Sequence, residues 1–260
     1  MSVENPATFA RARAGAKVTS AATGALIDVL RDLRAKTAKL RFGAPVAHVY
    51  RPLDYAWPMV EAYVAQFGQG TKEVLFLGMN PGPFGMGQTG IPFGDVESVR
   101  SWMKLDAPIG APADAHEKRP VLGLASTRVE VSGARLWGAI RKKHRDPATF
   151  FARAIVLNYC PLLFLDAKAA NVTPDKLKKS ERDACEAVCD AALARAVEVL
   201  APARVVGIGL YAKKRFEKIG IAPERIACIP HPSPASPQAN QGWDRLAKAA
   251  LADAGIRGLL

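Results

Sequence analysis

Four short runs of apolar residues divide the chain and predict buried β-strands. They cover residues 73–78, 153–159, 203–209 and 225–230. Each run is apolar almost without interruption, which is typical of parallel strands that are covered on both faces. Stretches with a helical period separate the runs. The pattern therefore predicts an α/β fold, a three-layer α/β/α sandwich around a central, mostly parallel four-stranded sheet.

The polar and apolar positions outside these runs predict the helices. Residues 22–40 place Leu26, Leu33 and other apolar side chains on one face, the pattern of an amphipathic helix. Residues 1–21 are predicted to be a flexible tail, so that residues 22–260 form one domain. By the same period, and by their start and stop signals, further helices are predicted over 54–67, 95–104, 133–145, 174–200, 210–218 and 240–254.

The amino-acid composition disfavours several classes of protein. The 260 residues have a mean hydropathy of +0.02, and no apolar run approaches the roughly 20 residues of a membrane-spanning helix. The four cysteines form no CxxC pair, which disfavours a disulfide framework, a zinc ribbon and an iron–sulfur cluster. The N-terminus lacks the apolar core of a secretory signal, with a transit peptide as the alternative. We expect a monomeric cytoplasmic protein, nucleoid-associated if bacterial, without membrane contact or metal.

The chain carries an excess of positive charge. Its 36 Lys and Arg against 24 Asp and Glu give a formal net charge of +12 and a pI near 9.7. Such a charge favours a polyanionic partner such as DNA, because basic side chains contact phosphates and release counterions. A basic surface without such a partner is the alternative, and the charge alone leaves both open.

The residues after the first strand carry the most informative motif. GMNPGPFGMGQTGIPFG, over residues 78–94, contains nine Gly and Pro among seventeen residues. It predicts a rigid, irregular loop whose backbone can approach a ligand closely. Neither GxxxxGK[ST] nor a clean GxGxxG is present, so nucleoside triphosphates and dinucleotides are poor candidates for the ligand.

Polar side chains follow three of the predicted strands at the edge where ligands bind in such sheets. Asn80 can hold a water through its carbonyl oxygen but cannot take the proton of that water. Such a weakly activated water suits cleavage through an oxocarbenium-like transition state, in which most bond breaking precedes attack. The alternative role for Asn80 is capping of the turn. His231 can donate a hydrogen bond to a departing group, or be a structural residue. Asn158 can satisfy an imide's adjacent donor and acceptor. Phe84 and Phe93 can stack on a planar base or fill the core.

Long motifs then point to one family. GMNPGPFGMGQTGIPFG and HPSPASPQANQGW, together with YRPLDYAWPMVEAYV and LNYCPLLFL, resemble segments of the single-strand-selective monofunctional uracil-DNA glycosylases, and the resemblance covers about residues 44–254. It implies the α/β/α fold, and a base flipped out of DNA into the pocket. The implied reaction is base excision without a cofactor. It hydrolyses the N-glycosidic bond of uracil, and of oxidised or deaminated bases, to leave an abasic site.

The resemblance also implies residue roles. Asn80 and His231 are the catalytic pair, with Asn80 positioning the water and His231 stabilising the uracil anion at O2. The implied substrate-binding residues are Asn158, which reads the uracil edge, Phe93, which stacks on the base, Gly82 and Met86, which shape the space around C5, and Met79 and Phe84. A wedge that enters duplex DNA is implied at Pro232, Ser233, Pro234, Ala235, Ser236, Pro237, Gln238 and Asn240.

One departure from the family pattern lies in the wedge. Ala235 stands where a long basic residue is expected, so a flipped base in a duplex should be held less firmly. The expected partner is DNA that contains uracil, single-stranded or duplex. Two other functions remain as alternatives: a non-catalytic nucleic-acid-binding module, and a hydrolase of small-molecule nucleosides.

Overall fold

The computed structural model describes residues 6–260, with side chains from residue 21 onward except that of Gln238. Residues 1–5 of the tail predicted over 1–21 lie outside this description, whereas the backbone of residues 6–21 is helical. The predicted division into a tail and one domain stays a prediction. Among the described residues, no helix has both the length and the apolar character to cross a membrane.

Seven strands are present in the described part of the chain. They are β1 His48–Tyr50, β2 Val74–Gly78, β3 Ala154–Asn158, β4 Leu163–Leu165, β5 Asn171–Val172, β6 Arg204–Ile208 and β7 Ile226–Ile229. Four of them form a parallel sheet in the order β3-β2-β6-β7. The four predicted strands are these four, and the predicted α/β class with a parallel four-stranded sheet is confirmed.

Helices occupy most of the predicted segments. They are α1 Pro6–Thr37, α2 Pro52–Tyr55, α3 Trp57–Phe67, α4 Met86–Thr89, α5 Val131–Lys143, α6 Pro147–Phe151, α7 Lys179–Leu200, α8 Leu210–Lys218 and α9 Trp243–Asp253. Three helix predictions need correction. The helix expected over 54–67 is interrupted at Ala56, which separates α2 from α3. The helix expected over 95–104 is a π-helical turn, Ser98–Trp102. The helix expected from residue 174 begins as a separate 3₁₀ turn, Pro174–Lys176, ahead of α7.

A second, antiparallel sheet was not predicted. It has the order β1-β4-β5, and its strands of two or three residues are too short to show a periodic pattern. The register pairs Tyr50 with Leu163 and Leu165 with Asn171. This small sheet contributes to the cavity described below, because β5 brings Asn171 and Thr173 to the cavity wall.

The register of the parallel sheet fixes where the polar residues lie. Every residue of β2 is buried, as expected for a central strand with helices on both sides. Gly78 at the end of β2 is paired with Asn158 at the end of β3. Pairing continues past both strands, since the Tyr159 N–H donates to the Gly78 carbonyl at 3.0 Å. The carboxyl ends of β2 and β3 therefore form one rigid edge.

Candidate active site

A cavity of about 340 Å³ opens at the carboxyl edge of the parallel sheet. Its wall combines residues that follow three different strands, because the ends of parallel strands meet at one edge. Seven of the eight residues predicted to catalyse the reaction or bind the base line it: Met79, Asn80, Gly82, Met86, Phe93, Asn158 and His231. The structure thus brings together side chains up to 152 positions apart in sequence (231 − 79).

His231 is held as a neutral hydrogen-bond donor. Burial lowers the pKa of its imidazole to about 4, because a buried charge loses its hydration. The Ser233 N–H donates to Nδ1 at 3.1 Å, so the ring proton of the neutral form resides on Nε2. At neutral pH, His231 can therefore donate from Nε2 without carrying a charge.

Asn80 is oriented by two backbone carbonyls. Its Nδ2 donates to the Pro81 oxygen at 3.4 Å and to the Leu162 oxygen at 3.5 Å. These contacts fix which end of the amide is nitrogen and leave Oδ1 as an acceptor. An amide oxygen can accept a hydrogen bond from a water but cannot remove its proton at neutral pH.

Asn158 carries an unpaired acceptor. Its Nδ2 lies 3.2 Å from the Met86 sulfur. Its Oδ1 is buried and has no hydrogen-bond partner among the described residues. A buried acceptor without a partner costs about 1–3 kcal/mol. A ligand that offers an N–H group to this amide would remove that cost.

Gly78 makes room for this arrangement. A Cβ atom at Gly78 would overlap Asn158 Oδ1 and would come within 2.5 Å of Phe93 Cε2. Only a residue without a side chain therefore lets Asn158 and Phe93 approach the end of β2 together. The glycine that ends the apolar run VLFLG has a steric function in the cavity.

Phe93 is held in a left-handed backbone conformation. Its φ of 55° is unusual for a residue with a large side chain and costs about 1–3 kcal/mol. The ring lines the cavity, and its centroid lies 5.9 Å from that of the His231 ring. The strained backbone thus presents an aromatic wall beside the imidazole, which suits a planar ligand.

Glu130 is a cavity residue that the sequence interpretation missed. It precedes α5 and caps it by accepting the Ser132 N–H at 3.3 Å. Burial, more than any other cause, raises the pKa of its carboxyl. A Cβ at Gly82 would lie 2.6 Å from Glu130 Oε2, so the carboxyl occupies space that Gly82 leaves free. Other lining residues not singled out were Pro83, Gly85, Ser132, Asn171 and Thr173.

Phe84 lies outside the wall of this cavity. Its ring is flanked by the guanidinium groups of Arg119 and Arg128, at 5.3 and 5.6 Å from the ring centroid. Contacts of this type are favourable because the ring face is electronegative. The structure therefore gives Phe84 two cationic neighbours, whereas Phe93 is the aromatic residue that reaches the cavity.

Comparison with known proteins identifies the family. The sequence model of the Uracil DNA glycosylase superfamily matches residues 65–254. The chain belongs to this superfamily. It is 47% identical over 244 residues, or 93% of the chain, to proteins named single-strand selective monofunctional uracil DNA glycosylase from Mus musculus and Rattus norvegicus, covering 87% of each. The Bos taurus relative is 46% identical, with 89% of its length covered.

A solved structure supports the same fold. The crystal structure of wild-type SMUG2 from Pedobacter heparinus matches with a TM-score of 0.62, over 86% of this chain and 96% of that one. Sequence identity to it is 17%, so this likeness speaks for the fold alone. The resemblance that the motifs indicated is thereby confirmed at the level of family and fold.

The predicted wedge of this superfamily member begins at the cavity and runs outward. Ser233 lines the cavity, Pro232 is buried and Ser236 is half-buried, whereas Pro234, Ala235, Pro237 and Asn240 are exposed; the side chain of Gln238 lies outside the description.

Arg135 of α5 fixes the segment, a role that the sequence did not reveal. Its guanidinium donates to the Pro232 carbonyl and to Asn240 Oδ1, both at 2.9 Å.

A group of three cysteines lies apart from the cavity wall. The sulfur atoms of Cys160, Cys185 and Cys189 all lie within 4.8 Å of one another, and all three residues are buried. Cys185 and Cys189, four positions apart, share one face of α7. Among the described residues this is the only grouping of three metal-ligating side chains. The prediction of a metal-free protein stays a prediction.

Proposed function

We propose that this protein is a monofunctional DNA glycosylase of base excision repair that hydrolyses the N-glycosidic bond of uracil in DNA. The observation that carries the proposal is the convergence of an uncharged His231 donor, the Asn158 amide and the Asn80 oxygen on one cavity. The names of the relatives, at 47% identity over most of the chain, support the same reaction.

Binding requires the uracil to leave the base stack and enter the cavity. Asn158 can accept from N3–H through Oδ1 and donate to O4 through Nδ2, which matches the imide edge of uracil. Cytosine has no N3–H and carries an amino group at C4, so it cannot satisfy the same amide in this orientation. Phe93 supplies the stacking surface, and His231 faces O2.

Bond cleavage then moves the electron pair of the N1–C1′ bond onto the base. Negative charge develops on the uracil ring and O2, and the His231 Nε2–H stabilises it by a hydrogen bond. The sugar becomes an oxocarbenium-like cation, so a water held by Asn80 Oδ1 needs little activation to add to C1′. As the C1′–O bond forms, the water loses a proton to solvent or to the departing uracil anion.

The proposed reaction stops at the abasic site. Strand cleavage by a glycosylase would need an amine that attacks C1′. No lysine is present among the described residues that line the cavity. The products would be free uracil and an intact strand with one abasic site.

The proposed substrate is DNA, recognised in part through charge. A net charge of +12 favours phosphate contacts. We include excision from both single-stranded and duplex DNA in the proposal, with weaker action on duplexes because Ala235 is short. We also propose that the protein acts as a monomer and in the cytoplasm or on the nucleoid.

The test is incubation with a single-stranded oligonucleotide that contains one uracil, followed by alkali to break the strand at any abasic site. Cleavage after alkali, but not before, is the expected result. Asn80→Ala should lose most turnover and still bind DNA. Asn171→Ala, an asparagine on the same cavity wall without an assigned role, is the matched control and should stay active.

Other outcomes would identify the alternative functions. DNA binding without any abasic product would indicate a non-catalytic module. Cleavage of free deoxyuridine at a rate that does not depend on salt would indicate a nucleoside hydrolase, since phosphate contacts weaken as salt rises. Full activity of Asn80→Ala would contradict the water-positioning role.

A further inference from the structure

The cluster formed by Cys160, Cys185 and Cys189 takes no part in the proposed reaction. Its sulfur atoms all lie within 4.8 Å of one another, and those of Cys160 and Cys185 are 3.8 Å apart. Two of the thiols belong to one face of α7, and the third follows β3. A metal–sulfur bond of about 2.3 Å places three sulfurs around one ion about 4 Å apart. The three thiols are therefore close to the separation at which they can share one soft ion.

No further ligand joins the three thiols in the described part of the chain. All three cysteines are buried, and the grouping contains no histidine or carboxylate. The neighbouring acidic residues of α7 have other partners. Glu186 pairs with Arg215 at 2.7 Å, and Asp190 accepts a hydrogen bond from the Tyr159 hydroxyl at 2.9 Å. Because structural zinc sites are almost always four-coordinate, the cluster suits an ion that is satisfied by three sulfur ligands.

The burial of the cluster also limits the charge that it can hold. Burial raises the pKa of the Cys160 thiol, whereas hydrogen bonds from the Cys160 and Cys189 thiols lower the pKa of Cys185. Copper(I) or zinc(II) bound to three thiolates would leave a negatively charged complex, and an uncompensated buried charge is costly. Arsenic(III) bonded to three sulfurs is neutral and forms a three-coordinate pyramid. The number of ligands and the charge therefore both favour trivalent arsenic.

We propose that these three cysteines form a binding site for trivalent arsenic, with one arsenic–sulfur bond to each of them. Arsenous acid, As(OH)₃, exchanges its three hydroxyl groups for the three sulfurs, and the hydroxyl groups leave as three waters. The Cys160 and Cys189 thiols supply two of the protons, and solvent supplies the third because Cys185 reacts as the thiolate. No oxidant or reductant is needed, since arsenic stays trivalent and no sulfur is oxidised. This inference goes beyond the proposed function, because base excision uses none of these side chains.

The bound arsenic joins α7 to a segment that adjoins the cavity wall. Cys160 lies two positions after Asn158, and its backbone N–H donates to the Met79 carbonyl at 2.9 Å. Asn158 and Met79 both line the cavity. Because the folded protein holds the three thiols together and the unfolded chain does not, arsenic binds the folded form more tightly and stabilises it.

The experiment adds arsenous acid to the full chain, which is kept reduced with a phosphine rather than with a competing thiol. Arsenic is added both to the folded protein and during refolding from urea, because entry into a buried cluster requires local opening. Native mass spectrometry should show one arsenic per chain with three hydrogens lost. An adduct held by only two sulfurs would keep one hydroxyl group and would be heavier by one water. The urea midpoint of the loaded protein should rise.

Cysteine variants identify the ligands. Cys160→Ala, Cys185→Ala and Cys189→Ala should each weaken arsenic binding about a hundred-fold or more, because linked attachments reinforce one another. Cys228→Ala is the matched control and should bind arsenic as the unmodified protein does, since Cys228 lies on β7 and outside the cluster. Urea unfolding without arsenic establishes that each variant folds.

The proposal is overturned if the unmodified protein forms no adduct by either route of addition, or if its adduct retains a hydroxyl group. The three cysteines would then only pack against one another, or bind through two sulfurs. Both results are obtained on the unmodified protein, so they decide the matter even if a variant does not fold. Failure of the proposed function has a different signature, because a protein that does not excise uracil would still form the arsenic adduct.

Discussion

The neutral state of His231 predicts how stability depends on pH. Burial lowers the pKa of the folded-state imidazole to about 4, from the ordinary value of 6.5. Below pH 6.5 the unfolded chain binds a proton that the folded protein does not bind, so the free energy of unfolding must fall as pH falls. The stability lost is zero at neutral pH, and the loss is complete once the pH passes below the folded-state pKa.

The size of this effect follows from the two pKa values. At pH 5 the imidazole lies 1.5 units below its unfolded pKa (6.5 − 5.0), which corresponds to about 2 kcal/mol at 1.36 kcal/mol per unit. The full loss, near pH 4 and below, is roughly 3 kcal/mol. Carboxylates and other histidines titrate in the same range, so the effect must be measured as a difference between two proteins.

The suitable reference is His231→Asn, because an amide oxygen can accept the Ser233 N–H as Nδ1 does but does not titrate. The free energy of unfolding of both proteins is measured with urea at pH 7 and at pH 5. As the pH falls, the unmodified protein should lose about 2 kcal/mol more than the variant. A difference that stays constant over this range would refute the neutral, buried imidazole. Uracil excision by the unmodified protein should also be independent of pH from about 5.5 to 8, because His231 stays uncharged.

Three other predictions concern the cavity wall, the wedge and the core. Gly78→Ala should reduce uracil excision at least about ten-fold, since its Cβ would collide with Asn158 and Phe93, whereas Gly138→Ala, with nothing within 4 Å, should be silent in the same assay. Excision should be faster from single-stranded DNA than from U:A or U:G duplexes; equal rates on all three would contradict the weak wedge. Arg215 pairs with Glu186 at 2.7 Å and with Asp190 in a partly buried network, so Arg215→Met should lower the unfolding free energy by about 2 kcal/mol in denaturant titrations; a loss below about 0.5 kcal/mol would show that these ion pairs contribute little.

Continuous apolar runs made the parallel sheet predictable from sequence. Strands covered on both faces have no polar side, so their sequence differs from that of any surface helix or hairpin. Once the strands are assigned, topology places their carboxyl ends together, and Asn80, Asn158 and His231 follow as neighbours. Each of these three residues does line the cavity, although no spacing in the sequence links them.

The rest of the site depends on parts of the chain that have no periodic pattern. Glu130 is the last residue of the irregular segment that precedes α5, and Asn171 belongs to a strand of only two residues. The loop itself is fixed by Gln88, whose buried amide donates to the Pro83 and Pro120 carbonyls and accepts the Leu122 N–H. The bonds to Pro120 and Leu122 join residues more than 30 positions apart, and nothing local in the sequence signals them.

Three residues of the cavity wall carry a free energy cost. Asn158 holds a buried oxygen without a partner among the described residues, Phe93 has a left-handed backbone, and His231 is kept from charging at mildly acidic pH. An unpaired acceptor and a strained backbone each cost about 1–3 kcal/mol. In the proposed complex, uracil would supply N3–H to Asn158 and an acceptor at O2 to His231, and it would stack on the ring that the strained backbone of Phe93 presents. Under that proposal the cavity is preorganised for the charge that appears as the glycosidic bond breaks, and the rest of the fold, with its continuous apolar strands, compensates for the cost.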